Sequence, residues 1–586
     1  MPLKSPLNPA RLSCLAALVV LLFHGSALRD VWTIDPDASA YVGLAQSLAA
    51  GDGYSLDGVP HGKYTPGFPL LLAGLIRATS PDAYLVFHGF LVVMLALGVL
   101  VTHRLICRMG FPPWAGAVIA WTVAMSQTLC DLSVRYLRTE VPFMALSLGA
   151  LLLMSDALGQ RRSWGRTALA AAFVAAAISV RMAGVTLAVV PALHLLFPVD
   201  GNRGRARAAL LLVTVGLVLG GWSTWGASVR SANPEAPDYS TELLAQEPRD
   251  LTKTVRVDMP TIDGAGLVRR ITGNLEVLAR ASAVLLTNVD RAGARLPVGL
   301  GALALILLGL VTMIRASRPS KDASAYLLAT LALYLLWPFN QQERFYVPLL
   351  PLLLLAAGLG VVLVYRSLAL LSQTTAGRRL ALIVAVALAL GLSAQVSDYP
   401  TVLGRWSKGF AALIVAAWVM VVTLGVLLRR PQLPTLNPGL AWLVPTMFFL
   451  PLVGFRLFEW SDQMLRFDEL RFVVPQEPPL DRIDVDYRLE LVAGWLHENT
   501  AADAVVMTDV PKMLSILSGR RCLPFRYRVD PPEVLHGEAD VVFYTGELAQ
   551  LTAVMDARAG DYELSEVTVP GVWEEAVLPR MYRVLR

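Results

Sequence analysis

Asp35 and Asp37 flank Pro36 just past the first apolar run of the chain, 12–28, and His61, Lys63 and Tyr64 follow before a Thr-Pro-Gly turn. A carboxylate held near a membrane surface, partly stripped of water, can take a proton from a hydroxyl as a general base. A lysine there can hold a phosphate as a point charge. Each residue also has a plainer reading. Asp37 immediately precedes a helix-like run, and Asp is a favoured N-cap. Lys63 equally suits lipid headgroups.

More charged groups recur where apolar segments begin. Arg138 and Glu140 stand in YLRTEVPF, 136–143. A Glu at a helix N-terminus is favoured by the dipole, so capping is the plain reading; the same dipole would hold an anion or a metal-bound group. Arg181 interrupts an apolar stretch, where an ionisable residue is a functional candidate, with snorkelling to the interface as its alternative. Arg344 and Tyr346 stand in ERFYVP, 343–348. Asp156, deep in another apolar segment, reads as structural. Two acids, Asp37 and Glu140, and four cations, Lys63, Arg138, Arg181 and Arg344, together suit a phosphorylated ligand: cations for the phosphate, an acid for proton abstraction.

The elements that must position them are membrane spans. The chain is 55% hydrophobic and 16% charged over 586 residues, which is too apolar for a soluble enzyme. The net charge of +5 is spread over small clusters between apolar runs and is no nucleic-acid signal. The expected spans are 12–28, 82–103, 112–130, 141–159, 167–180, 182–199, 208–227, 296–314, 324–338, 345–365, 380–397, 409–428 and 438–456, about thirteen in all. With the N-terminus inside, every basic cluster between them falls on the cytoplasmic side. Residues 167–199 carry the parity: two short spans put Arg181 outside, while one long span would invert every later segment. The first run is read as an uncleaved span rather than a signal peptide.

Two outer loops result from this topology, 29–81 and 228–295. Within the first, 38–50 reads as a short amphipathic helix. Residues 67–79 make only ~20 Å of helix, too short to span, so they lie at the interface or re-enter. The chain thus divides into a mainly α-helical polytopic membrane domain, 1–456, and an extracytoplasmic C-terminal domain, 457–586. In the latter, helical patterns at 489–499 and 548–558 and strand patterns at 504–507, 540–544 and 581–585 suggest a small α/β unit. It has no phosphate loop and no nucleophile elbow. The four cysteines, Cys14, Cys107, Cys130 and Cys522, form no zinc or disulfide pattern, although Cys130 and Cys522 would both face outward and could pair.

Five strings then carry a resemblance: PDASAYVGLAQSLAAGDGY (36–54), YTPGFPLLLAGL (64–75), RTEVPFMALSLGALLL (138–153), SVRMAGVTL (179–187) and ERFYVPLLPLLLL (343–355). The tail string WLHENTAADAVVMTDVPKMLSILSGRR (495–521) adds to them. In their order and sidedness they resemble the GT-C class of membrane glycosyltransferases, in particular the bacterial protein-mannosyltransferase and aminoarabinose-transferase-like enzymes. The resemblance implies a sugar donor linked to polyprenyl phosphate, inverting transfer to a lipid, glycan or protein acceptor, and a place in the bacterial inner membrane with the site outside. It implies Asp37 as general base and Glu140 as second acid or metal partner. Lys63, Arg138, Arg181 and Arg344 would surround the donor phosphate, and Asp35, His61, Tyr64 and Tyr346 would line the pocket. Two departures bear on metal. Asp37 is followed by Ala38 where many relatives have an acid, and Lys63-Tyr64 precedes Thr65-Pro66 where many have an acid and Lys before Pro-Pro. Both remove carboxylates that would hold a divalent cation, so dependence on such a metal stays open. A carrier of lipid-linked or anionic substrates is the alternative in another class, but it should show mid-membrane charges and repeated halves. A non-catalytic scaffold is the third reading.

Overall fold

A computed structural model describes residues 9–28, 35–56, 58–159, 163–198, 201–232, 262–287, 292–338, 342–371, 485–508, 511–524, 541–544, 563–567 and 580–585. The expected spans 380–397, 409–428 and 438–456 and the expected helix 548–558 lie outside them.

The described chain is mostly helical, with the several apolar helices of a polytopic membrane protein. Five described helices are long and apolar enough to cross a bilayer: Tyr84–Arg108, Glu140–Leu158, Gly201–Ala232, Arg295–Arg315 and Glu343–Val364. A sixth crossing is made if the pair Pro113–Ala124 and Gln127–Val134, bent by 53°, is one broken span. The first apolar run is a helix, α1 (Pro9–Val19), that passes into a π-helical turn at Val20–His24.

Where it is described, the segment expected as the first outer loop folds into α2 (Pro36–Ala50), a hairpin of two-residue strands β1 (Ser55–Leu56) and β2 (Val59–Pro60), and α3 (Gly67–Ala78). Helix α2 has marked ends. Asp35 caps it with an extended backbone, Pro36 opens it, and Gly51 stops it at φ 95°. Helix α3 is, as expected, too short to span; it packs on α8 (Trp164–Val180). Gly67 allows that approach, because a Cβ there would lie 2.6 Å from the Ser179 carbonyl.

Helices α4 (Tyr84–Arg108), α5 (Pro113–Ala124), α6 (Gln127–Val134) and α7 (Glu140–Leu158) follow. The break expected in 167–199 falls at Arg181. That residue is extended at φ −151°, and a 3-10 turn at Met182–Ala188 leads from it into α9 (Val189–Leu196). Asp156 is structural: its carboxylate meets Arg108 at 2.8 Å and Arg166 at 3.6 Å.

The loop expected at 228–295 is largely helical where it is described. Helix α10 (Gly201–Ala232) runs past the expected 208–227, and a helix at Gly264–Thr287 fills much of the rest. The latter was hidden by its charges. Arg280 and Glu276 pair at 2.6 Å on its outer side, while Leu278, Ala281 and Leu285 are buried at helical spacing. Helices Ala292–Arg315 and Arg318–Leu336 come next, then a 3-10 turn at Gln342–Leu349 that opens the helix Leu350–Leu371.

The described tail begins with the helix Val485–Asn499. Its strands β3 (Val505–Thr508), β4 (Arg521–Pro524), β5 (Val541–Tyr544), β6 (Glu563–Val567) and β7 (Arg580–Leu585) form one sheet in the order β4-β3-β5-β7-β6. The pairs β3–β4 and β3–β5 are parallel, and β7 runs antiparallel to both β5 and β6. Strands β4 and β6 and the helix Pro511–Ser518 escaped the sequence reading. That helix rests on α2, with Ile516 beside Gly43. Cys130 and Cys522 are both buried and form no disulfide, so the pairing left open for them is not made.

Candidate active site

Asp35, not Asp37, caps α2. One Asp35 oxygen accepts the backbone N–H groups of Asp37 at 3.0 Å and Ala38 at 3.2 Å; the other takes Arg138 Nε at 3.0 Å. The plain reading of Asp37 as a cap therefore falls to its neighbour. The reason is the proline: Pro36 lacks an N–H and sits at the first helical position, so the cap lies one residue before it. Asp37 is left in the first turn with its carboxylate turned into the protein. Burial pushes the Asp35 carboxyl above the usual carboxylate range, and the Arg138 guanidinium opposes that shift.

Both oxygens of Asp37 are engaged. Oδ1 accepts the Tyr64 hydroxyl at 2.6 Å, and Oδ2 accepts Arg344 Nη2. Arg344 also reaches the other acid, its Nε lying 3.0 Å from Glu140 Oε1. The same Glu140 oxygen accepts Arg181 Nη1 at 2.9 Å, and that nitrogen also bonds Thr139 Oγ1 at 2.9 Å. Glu140 is 1% exposed, whereas the side chains of Asp37 and Arg344 keep about a fifth of their surface open, 21% and 18%. Four residues from four separate elements thus form one chain of charge: Asp37, Arg344, Glu140, Arg181. Losing either guanidinium partner of this buried carboxylate would leave the set with an uncompensated charge, which is costly.

The rest of the first loop frames this chain. The His61 ring stacks on Tyr64 at 5.3 Å between centroids, and its Nε2 accepts the Tyr64 backbone N–H at 3.1 Å. The Tyr54 hydroxyl bonds the Tyr64 carbonyl at 2.7 Å, and Trp225 of α10 bonds the His61 carbonyl at 2.9 Å. Lys63 Nζ stands 5.7 Å from the centre of the Tyr64 ring. Three predicted cations, Arg138, Arg181 and Arg344, therefore each pair with an acid, and Lys63 sits on the rim beside Tyr64. Summed over Asp35, Asp37 and Glu140 against Arg138, Arg181 and Arg344 the charge is 3 − 3 = 0, and Lys63 makes it +1. A phosphate brought here would meet guanidiniums already held in place and a net positive rim.

Tyr346 is placed differently. It is 3% exposed, and its ring meets the edge of Tyr334 at 5.8 Å. The sequence reading missed Tyr334, Phe345, Thr139 and Tyr41. Phe345 lies under the Arg181 guanidinium at 5.1 Å and stacks on Tyr334 at 5.1 Å. Tyr41 meets the Tyr64 ring at 5.0 Å. Phe345 and Thr139 are direct sequence neighbours of Arg344 and Glu140, and that adjacency was the one available signal. Tyr334 and Tyr41 lie within helices and carried none.

Arg344 lies between the two acids, its Nη2 on Asp37 Oδ2 and its Nε 3.0 Å from Glu140 Oε1, while Glu140 Oε2 is buried with no hydrogen-bond partner. Among the described residues no group of three His, Cys, Asp or Glu could hold a metal ion.

No protein-family model matches the chain, and no curated protein matches it either. Solved structures do. ArnT from Cupriavidus metallidurans bound to undecaprenyl phosphate superposes with a TM-score of 0.51 at 14% identity, over 97% of this chain and 97% of that one. The chain folds as ArnT does. Its apo form gives the same figures. The archaeal oligosaccharyltransferase AglB from Archaeoglobus fulgidus, in complex with an inhibitory peptide and a dolichol-phosphate, matches with a TM-score of 0.47 at 13% identity, over 96% of this chain and 73% of its own. The GT-C fold expected from the five sequence strings is the fold of ArnT.

Proposed function

We propose that this chain is a glycosyltransferase. It moves a hexose or pentose from a polyprenyl-phosphate carrier to a hydroxyl of a lipid, glycan or protein, with inversion, on the outer face of a bacterial inner membrane. The observation that carries this reading is the convergence of Asp37, Arg344, Glu140 and Arg181 from four separate elements into one partly open charge chain. The ArnT fold supports it, since ArnT binds undecaprenyl phosphate. The sidedness of the basic clusters supports the outer face, the span count of thirteen and the tail outside.

The chemistry needs one base and a stabilised leaving group. Asp37 accepts the proton of the acceptor hydroxyl. The freed oxygen pair forms the new bond to the anomeric carbon from the face opposite the phosphate. The old carbon–oxygen bond breaks, and its electron pair leaves on the phosphate, which Arg344, Arg181 and Lys63 stabilise. No covalent enzyme intermediate is required, and inversion follows from the single displacement.

The test is turnover by purified protein in nanodiscs, with a panel of radiolabelled polyprenyl-phosphate sugars and membrane extract as acceptor. One donor should give a new glycosidic product, and Asp37→Asn should lower that rate by about 10²–10⁴-fold, the usual worth of a general base. Near-normal turnover in Asp37→Asn would remove Asp37 from the role. In sealed proteoliposomes, label that crosses the bilayer without a new product would make the chain a carrier.

A further inference from the structure

In the resting chain each Asp37 oxygen accepts a hydrogen bond, Oδ1 from Tyr64 and Oδ2 from Arg344. The guanidinium on Oδ2 stabilises the charged carboxylate and so weakens it as a base for as long as the pair holds. The two partners differ. Tyr64 is neutral and is fixed by His61, Tyr54 and Tyr41 around it. Arg344 is charged, sits on a 3-10 turn, and is partly open to the outside. Its second carboxylate, Glu140, is buried and already holds Arg181.

We propose that the Asp37–Arg344 pair is a latch opened by the donor's phosphate, so that the base reaches full strength only once the donor is in place. This rests on the glycosyltransferase reading above. The phosphate competes with Asp37 for the same guanidinium. When Arg344 turns to the phosphate oxygens, Oδ2 of Asp37 is released toward the acceptor while Tyr64 keeps Oδ1 and fixes the carboxylate plane. The acceptor O–H then gives its proton to Oδ2 and its electron pair to the anomeric carbon, as the phosphate leaves with the pair of the broken bond. The latch thereby couples the strength of the base to the presence of the donor.

Competition for one guanidinium has a consequence that a purely structural ion pair lacks: removing the competing acid tightens phosphate binding. Undecaprenyl phosphate is titrated calorimetrically into the full chain in detergent micelles. Asp37→Asn should bind it about tenfold tighter than wild type, within the ordinary span of coupling between two ligands of one site. Asp52→Asn removes an exposed carboxylate of the same loop without touching Arg344 or Arg138 and should shift affinity much less. In an Arg344→Gln background the effect of Asp37→Asn should vanish, which isolates the pairwise coupling. Unchanged or weaker binding by Asp37→Asn, with wild type binding normally, overturns the latch and leaves the donor reading intact. A wild-type chain with no saturable binding overturns the donor reading, and the latch with it. Thermal melting of each variant in the same micelles separates loss of binding from loss of fold.

Discussion

Among single residues, the site is an arrangement of mutually dependent charges. Arg181 and Arg344 both lean on one oxygen of Glu140, which is almost wholly buried. Removing Arg181 leaves that carboxylate undercompensated, so Arg181→Met should cost about 3–5 kcal/mol of stability. The double variant Arg181→Met with Glu140→Gln should recover much of the loss, because the buried charge goes with its partner. Melting temperatures in detergent check both, and equal destabilisation of single and double variants would show that the pair contributes by packing alone. Arg344→Gln should raise the donor KM more than it changes the acceptor KM. A chelator should leave turnover within about twofold, since no group of three His, Cys, Asp or Glu among the described residues could hold a metal ion; a loss restored by added divalent metal would put a metal into the mechanism.

Among the elements, two small features set where Asp37 points. The first is the Asp35 cap, which ties the start of α2 to Arg138 ahead of α7. Asp35→Ala removes cap and ion pair together and should destabilise by about 1–2 kcal/mol, while Asp35→Asn keeps most of the cap. Hydrogen exchange of α2 reads the difference: faster exchange confined to its first turn is expected for the alanine variant. The second is Gly67, whose missing side chain lets α3 lie on the backbone of Ser179 and Val180, next to Arg181. Gly67→Ala should push α3 and the preceding Tyr64 away from α8, lowering both melting temperature and turnover. A variant with wild-type melting and turnover would mean that the contact is not needed to hold the loop.

Across the whole molecule, the tail rests on the helix that carries the candidate base. Ile516 lies against α2 at Gly43, in the turn after Asp37, and joins the same apolar cluster as Leu56. Ile516→Asp should loosen this seat and speed limited proteolysis within the tail, with the membrane helices left intact. Unchanged proteolysis would show that other contacts hold the tail. The helical membrane class was legible in the order of residues alone, because apolar runs of spanning length with basic residues between them have few other solutions. So were the candidate acids and cations, since charged residues at the ends of apolar segments are costly and stand out. The break at Arg181 was legible for the same reason. Pairing, by contrast, came only with the folded chain. The sequence could not say that Asp35 takes the cap and frees Asp37, because a proline between two acids shifts the helix start by one residue. Nor could it say that Arg344 bridges two acids, 307 positions from one of them. Contacts at such separation follow from how helices pack in three dimensions, and no local pattern of residues records them.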